Sequence, residues 1–413
     1  MEKSNEKKGK LKLIILYIVI SALALAVRIR EFNFVSGDMR YFLVYWYSFL
    51  QHNGGLFAIK DLVTDYEPLY LTIIALLTYI KAYPVYLIKT VSVIGDFLLA
   101  FACVRLVKIL LKDTNKNVNL YGIVTYAIIL FLPTVVLNSS KWGQCDALYT
   151  AFIILAFGDL YEKKYNRMFV FLGIAFAFKL QTILILPLFI TVYFAKKEYH
   201  WYQFLIIPAM LVICAVPAIC FGMPFKYIFT GFFIHTAKYN EFLSCNFFNI
   251  YNFISTKNID IINIIIKVGV LVALIVDFII FIFTLKYKEK LNNENILFLG
   301  IIYMILETFF LPEMHDRYLF VGEMLAIIYA ITYRKNYLLA VYLNAQSLWL
   351  YYCFLYNAFY FFTYEFYFNL SFPCLFAIVI TYYTDQYLLQ MKDESEKKKL
   401  KKFNFFKKEK AIN

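Results

Sequence analysis

The stretch LPEMHDRYLF, Leu311 to Phe320, sets four ionisable side chains, Glu313, His315, Asp316 and Arg317, within five residues between two apolar runs. An arginine fork and an imidazole ahead of a helix suit a phosphate or phosphodiester, because charge-assisted hydrogen bonds and the helix dipole act together there. A salt-bridged loop explains the same charges without any ligand. Four other stretches carry chemistry. In SGDMRYFLVYW, Asp38 stands beside Gly37 and two residues before Arg40, and three roles fit it: helix N-cap, ion-pair partner of Arg40, or catalytic base. TDYEPLYL offers Asp65 and Glu67 ahead of Pro68, which reads as helix capping with proline at the first position and acids at the positive end of the dipole. NSSKWGQCDALY joins Trp142, Gln144 and Asp146; an indole face beside an amide and a carboxylate suits a sugar, and a tryptophan at a membrane interface is equally ordinary. In FAFKLQTI, Lys179 and Gln181 interrupt apolar sequence, where a lysine must snorkel or pair with an anion. A lipid phosphate would use Lys179, His315 and Arg317 together.

The elements that must position these residues are transmembrane helices. The chain has 413 residues, of which 62% are hydrophobic, 20% aromatic and only 17% charged, with mean hydropathy +0.65. Soluble domains carry about 25% charged residues, so the composition is that of a polytopic membrane protein. The net charge of +13 does not point to nucleic acid, since the lysines cluster at the ends of apolar runs and in the tail KDESEKKKLKKFNFFKKEK. The seven cysteines show no metal spacing and read as small hydrophobes, with a Cys145–Cys245 disulfide left open. The basic, then apolar N-terminus reads as a retained first helix.

Runs near 12–30, 84–108, 119–138, 147–162, 203–222, 262–285, 296–312, 318–334, 337–356 and 371–390 are candidate spans, with shorter ones at 168–178 and 182–195. That makes an all-α bundle of about 12 spans. The run at 69–80 is too short and is expected to lie on the membrane or dip into it, as is the amphipathic segment after Asp38. This threading gathers most of the 41 Lys and Arg on one side, including Lys3, Arg105, Lys163, Lys196, Lys288, Arg334 and the tail lysines. By the positive-inside rule both termini are then cytoplasmic, and every polar stretch described above faces outward. Such a one-sided layout suits an extracytoplasmic active site better than a transport path, which needs polar groups along its depth.

SGDMRYFLVYWYSFL, NSSKWGQCDALYTAF, AFKLQ and LPEMHDRYLF, in this order, resemble the bacterial integral-membrane proteins related to GPI-anchor mannosyltransferase 2, within the GT-C superfamily of glycosyltransferases. The resemblance covers roughly residues 10–335. It implies a catalytic module over 1–335, further transmembrane helices over 336–390 and a basic cytoplasmic tail over 391–413. It also implies transfer of a sugar, with inversion, from a polyprenyl-phosphate carrier of undecaprenyl type to a cell-envelope glycan or glycolipid at the outer face. Asp38 matches the general base; His315 and Arg317 match the residues at the donor phosphate, supported by Glu313 and joined by Lys179. Trp142, Gln144 and Asp146 match the family turn and, with Gln181 and Arg40, are assigned to sugar or acceptor. No cofactor is implied, and basic residues take the place of a metal; Asp65 with Glu67 is the acid pair that could hold a divalent cation. A flippase or transporter of lipid-linked sugars and a polysaccharide polymerase are the alternatives.

Overall fold

The computed structural model describes residues 2–62, 64, 66–229, 241–356 and 371–392. Asp65 and the tail from 393 onward lie outside the described residues. The regular elements are helices: α1 (Glu2–Arg30), α2 (Val44–His52), α3 (Pro68–Leu77), α4 (Pro84–Leu111), α5 (Val118–Phe131), α6 (Pro133–Val136), α7 (Asp146–Tyr161) and α8 (Tyr165–Phe178). They continue with α9 (Leu186–Lys196), α10 (Ile206–Cys220), α11 (Ile259–Lys286), α12 (Asn293–Phe310), α13 (Phe320–Tyr333), α14 (Tyr337–Leu355) and α15 (371–392). Five helical segments among the described residues are long and apolar enough to cross a membrane, namely Gly9–Arg30, Trp201–Cys220, Ile259–Lys286, Asn293–Phe310 and Tyr337–Leu355. The pair α5 and Pro133–Trp142, bent by 50°, makes a sixth if it is one broken span. The chain is an all-α, multi-pass membrane protein.

Helix α4 is the axis of the bundle, 28 residues and about 42 Å long. Lys89 and Asp96 lie fully buried on it. Buried charges need partners. Arg28 Nε of α1 donates to Asp96 Oδ2 at 2.7 Å, and Ser139 Oγ donates to the same oxygen at 2.5 Å. Lys89 Nζ donates to the carbonyls of Glu31, Phe32 and Phe34 at 2.9, 3.1 and 2.6 Å, which fixes the turn that follows α1. Helix α7 packs along α4 where Gly95 lacks a side chain; a Cβ there would stand 2.8 Å from Leu148 Cγ.

Pro133 has no N–H to donate and turns Leu132 out of helical geometry, so α5 stops there. The chain restarts as α6 and widens into a π-helical turn, Leu137–Trp142, in which Asn138, Ser139, Ser140, Lys141 and Trp142 are all buried. Gly143 closes that turn at φ +84°, and a Cβ would meet Met39 Cε at 2.2 Å.

The run at 69–80 supplies α3, ten residues and about 15 Å, half of a hydrocarbon core. Rather than resting on the membrane, it is enclosed: Tyr70, Leu71, Thr72, Ile74 and Ala75 are buried among α2, α4, α8 and α10. The segment after Asp38 has the expected two faces, with Met39, Leu43, Trp46, Tyr47 and Leu50 inside and Arg40, Tyr41 and Tyr45 outside. One apolar core includes Leu99, Ile154, Leu343 and Phe376, so it continues past residue 335 into α14 and α15.

Candidate functional site

A cavity of about 300 Å³ opens where the turn after α1, the segment before α3, the break between α8 and α9, and the 311–319 loop converge. Its polar wall holds Asp38, Glu67, Gln144, Lys179, Gln181, His315, Asp316 and Arg317, and its apolar wall includes Phe42, Trp46, Tyr66, Phe178 and Phe354. Eight of the residues singled out in the sequence therefore meet in one space: Asp38, Glu67, Gln144, Lys179, Gln181, His315, Asp316 and Arg317.

Asp38 is not a side-chain helix cap. Ser36 takes that role, its hydroxyl accepting from Met39 N at 3.1 Å and donating to Trp142 O at 2.8 Å. The Asp38 carboxylate is freed to accept at Oδ2 from Trp142 Nε1 at 2.9 Å and from Gln144 Nε2 at 2.7 Å. Gln144 is oriented in turn, because Tyr66 donates its hydroxyl to Oε1 at 2.8 Å. Arg40 does not pair with Asp38; it is exposed on the outer side of the same turn and lines none of this wall.

Arg317 stands among three carboxylates: Nη1 is 3.6 Å from Asp38 Oδ2 and 3.6 Å from Asp316 Oδ1, and Nε is 3.7 Å from Asp146 Oδ2. These separations exceed hydrogen-bond length. Nε and Asp316 Oδ1 are buried without a hydrogen-bond partner among the described residues. The guanidinium also lies over the Trp142 ring at 5.3 Å. Burial pushes the Asp316 carboxyl up to about 8, against the pull of Arg317.

The geometry gives three of the expected site residues specific surroundings. The indole of Trp142 is fully buried, stacked on Phe354 at 4.4 Å and covered by Arg317, so no face is left for a sugar; its N–H orients Asp38 instead. Lys179 is not held ready for a phosphate: its Nζ donates to Asp146 Oδ1, and Asn138 Nδ2 donates to Oδ2 of the same carboxylate at 2.7 Å. Glu313 turns away from the cavity. Its backbone adopts φ +61°, its N–H donates to Leu243 O at 2.9 Å, and its side chain joins an adjoining apolar pocket of about 150 Å³, where burial lifts its carboxyl to about 7.

His315 and Gln181 line both spaces. Cys145 and Cys245 are free thiols, so the open disulfide is not formed, and burial pushes the Cys245 thiol up to about 12. No group of three or more His, Cys, Asp or Glu side chains able to hold a metal ion is present among the described residues.

Sequence reasoning missed Tyr66, Trp46, Phe354 and the cavity role of Glu67. Tyr66 and Glu67 sat inside a quoted stretch; Phe354, on a helix without distinctive residues, carried no signal. Compared with known proteins, the chain matches no family model and no curated sequence.

Proposed function

We propose that this protein is a GT-C-type glycosyltransferase that moves a sugar from a polyprenyl-phosphate carrier to an envelope glycan or glycolipid, with its cavity at the outer face and its termini in the cytoplasm. The observation that supports this reading is the Asp38 carboxylate, aimed by Trp142 and Gln144 into a cavity that also holds Arg317 and His315. On this reading the acceptor hydroxyl gives its proton to Asp38 as its oxygen attacks the anomeric carbon. The bond from that carbon to the phosphate oxygen breaks on the opposite face, and the configuration inverts. The polyprenyl phosphate leaves with the bonding electrons, and its growing charge is met by Arg317 and His315. Because the carboxylates around Arg317 stand 3.6–3.7 Å away, its N–H groups remain available to a phosphate oxygen. Lys179 acts at one remove, neutralising Asp146 so that the region is not repulsive to an anion.

The test is transfer of labelled hexose from a polyprenyl-phosphate hexose by membranes containing the protein. Asp38→Asn is expected to abolish transfer at unchanged expression. Undiminished transfer in that variant removes Asp38 from the mechanism, and no transfer by the wild type refutes the reading.

A further inference from the structure

Glu67 was expected to cap α3, and it does so with its backbone alone. Leu71 N donates to the Glu67 carbonyl at 3.2 Å, while the side chain makes no capping bond. The carboxyl is instead enclosed in the wall of the large cavity, where the residue is only 6% exposed. No hydrogen bond or ion pair engages it among the described residues. A buried polar group left in this state costs free energy unless something supplies its partner. On its other side lies a small cavity of about 40 Å³, lined by Lys60, Thr64, Pro68 and Tyr227. Burial without a compensating cation pushes the carboxyl up to about 8, so at neutral pH it keeps its proton. In that form it offers one O–H donor and a carbonyl acceptor, a pairing that a hydroxyl group, itself donor and acceptor, can meet.

The surroundings point to the same ligand chemistry. Trp46 and Tyr66 line this wall edge to face at 5.3 Å, giving an apolar surface of aromatic carbon. Gln181, also 6% exposed, lines the same cavity, and its Oε1 is buried without a hydrogen-bond partner among the described residues. Uncharged donors and acceptors set among aromatic rings fit a ring that carries several hydroxyls. We propose that Glu67 is a specificity-determining residue that reads a hydroxyl of a hexose seated against Trp46 and Tyr66. The inference deepens the transferase reading by assigning the sugar subsite, and it rests on that reading only for which hexose is carried.

Several groups facing Glu67 also titrate or carry charge. Asp38, Lys179, His315 and Arg317 face it across the large cavity, and Lys60 and Tyr227 across the small one. Asp316 is the confounding group, since its carboxyl also sits at about 8.

The experiment is quenching of tryptophan fluorescence by methyl hexosides, measured on the purified full chain between pH 6.5 and 9.5. The wild type is expected to bind at least one hexoside saturably and to weaken about tenfold across that range, the loss of about one hydrogen bond. Glu67→Ala is expected to bind about tenfold more weakly at pH 6.5. Glu67→Gln, which keeps a donor and an acceptor, should bind within about threefold of wild type and show no pH dependence. Wild-type affinity in Glu67→Ala overturns the proposal. So does an alkaline loss that persists in Glu67→Gln, which would assign it to Asp316, and so does the absence of saturable binding by any methyl hexoside. Hexoside binding without sugar transfer would refute the transferase reading and leave Glu67 where it is proposed.

Discussion

The two ends of α4 and α7 carry similar charges in opposite states. At the end away from the cavity, Arg167 grips Asp159 with two bonds of 2.6 Å, Arg105 Nη2 reaches Asp159 and Glu162 at 2.5 Å each, and Lys164 adds Glu162 at 2.9 Å. No buried polar side-chain atom of that cluster lacks a partner. At the cavity end Arg317 faces three carboxylates, all 3.6–3.7 Å away, and Arg317 Nε, Asp316 Oδ1 and Gln181 Oε1 are left without partners. One cluster has satisfied its hydrogen-bonding capacity internally; the other keeps capacity for something else. Between these two clusters, under-coordination, more than charge, is the difference.

Deleting the same charge at both ends should separate them most. Asp146→Asn strands Lys179 in the interior and is expected to destabilise the fold by about 3–5 kcal/mol. Asp159→Asn should cost only about 1–2 kcal/mol, because its arginines are 28% and 49% exposed and can turn to water. Thermal unfolding in detergent compares the two, and equal losses would break the comparison. The double variant Asp146→Asn/Lys179→Met should regain part of the lost stability.

Lys89→Met probes what holds the turn between α1 and Asp38. It removes the buried donor shared by three carbonyls, and the loss should be about 2–3 kcal/mol. A smaller effect follows from Trp142→Phe, which keeps the stacking on Phe354 and deletes the N–H to Asp38. Sugar transfer should slow about tenfold, in kcat rather than KM, with the thermal midpoint nearly unchanged.

A further contrast is in pH. The folded Asp316 carboxyl holds its proton to about 8, while an unfolded one releases it near ~3.9. The unfolded chain therefore binds fewer protons between those values, and stability falls as pH rises from about 4 to about 8. Asp316→Asn should flatten part of that slope, whereas Asp159→Asn should leave it in place.

Much of this contrast was legible before any coordinates. Apolar runs located the helices well: the run at 84–108 became Pro84–Leu111, and the one at 337–356 became Tyr337–Leu355. Polar interruptions in those runs located the cavity, because charge inside a membrane protein is retained only where something needs it. Direction was not legible. Glu313 and His315 are two residues apart, yet with a positive φ at the former only His315 reaches the large cavity, while both line the smaller pocket. Trp142 sits in a π-helical turn whose altered phase buries five successive residues, Asn138 to Trp142, so helical spacing says nothing of where its ring points. Phe354, which covers that ring, comes from more than 200 positions away in a helix of unremarkable composition.

The most direct test sets Arg317→Gln beside Arg167→Gln in one assay, transfer of labelled hexose from a polyprenyl-phosphate hexose by the purified protein. The account predicts that Arg317→Gln loses at least about a hundredfold in rate with its thermal midpoint nearly kept. Arg167→Gln should transfer at the wild-type rate with a lowered midpoint. Equal rates in the two variants, or loss confined to Arg167→Gln, would contradict it.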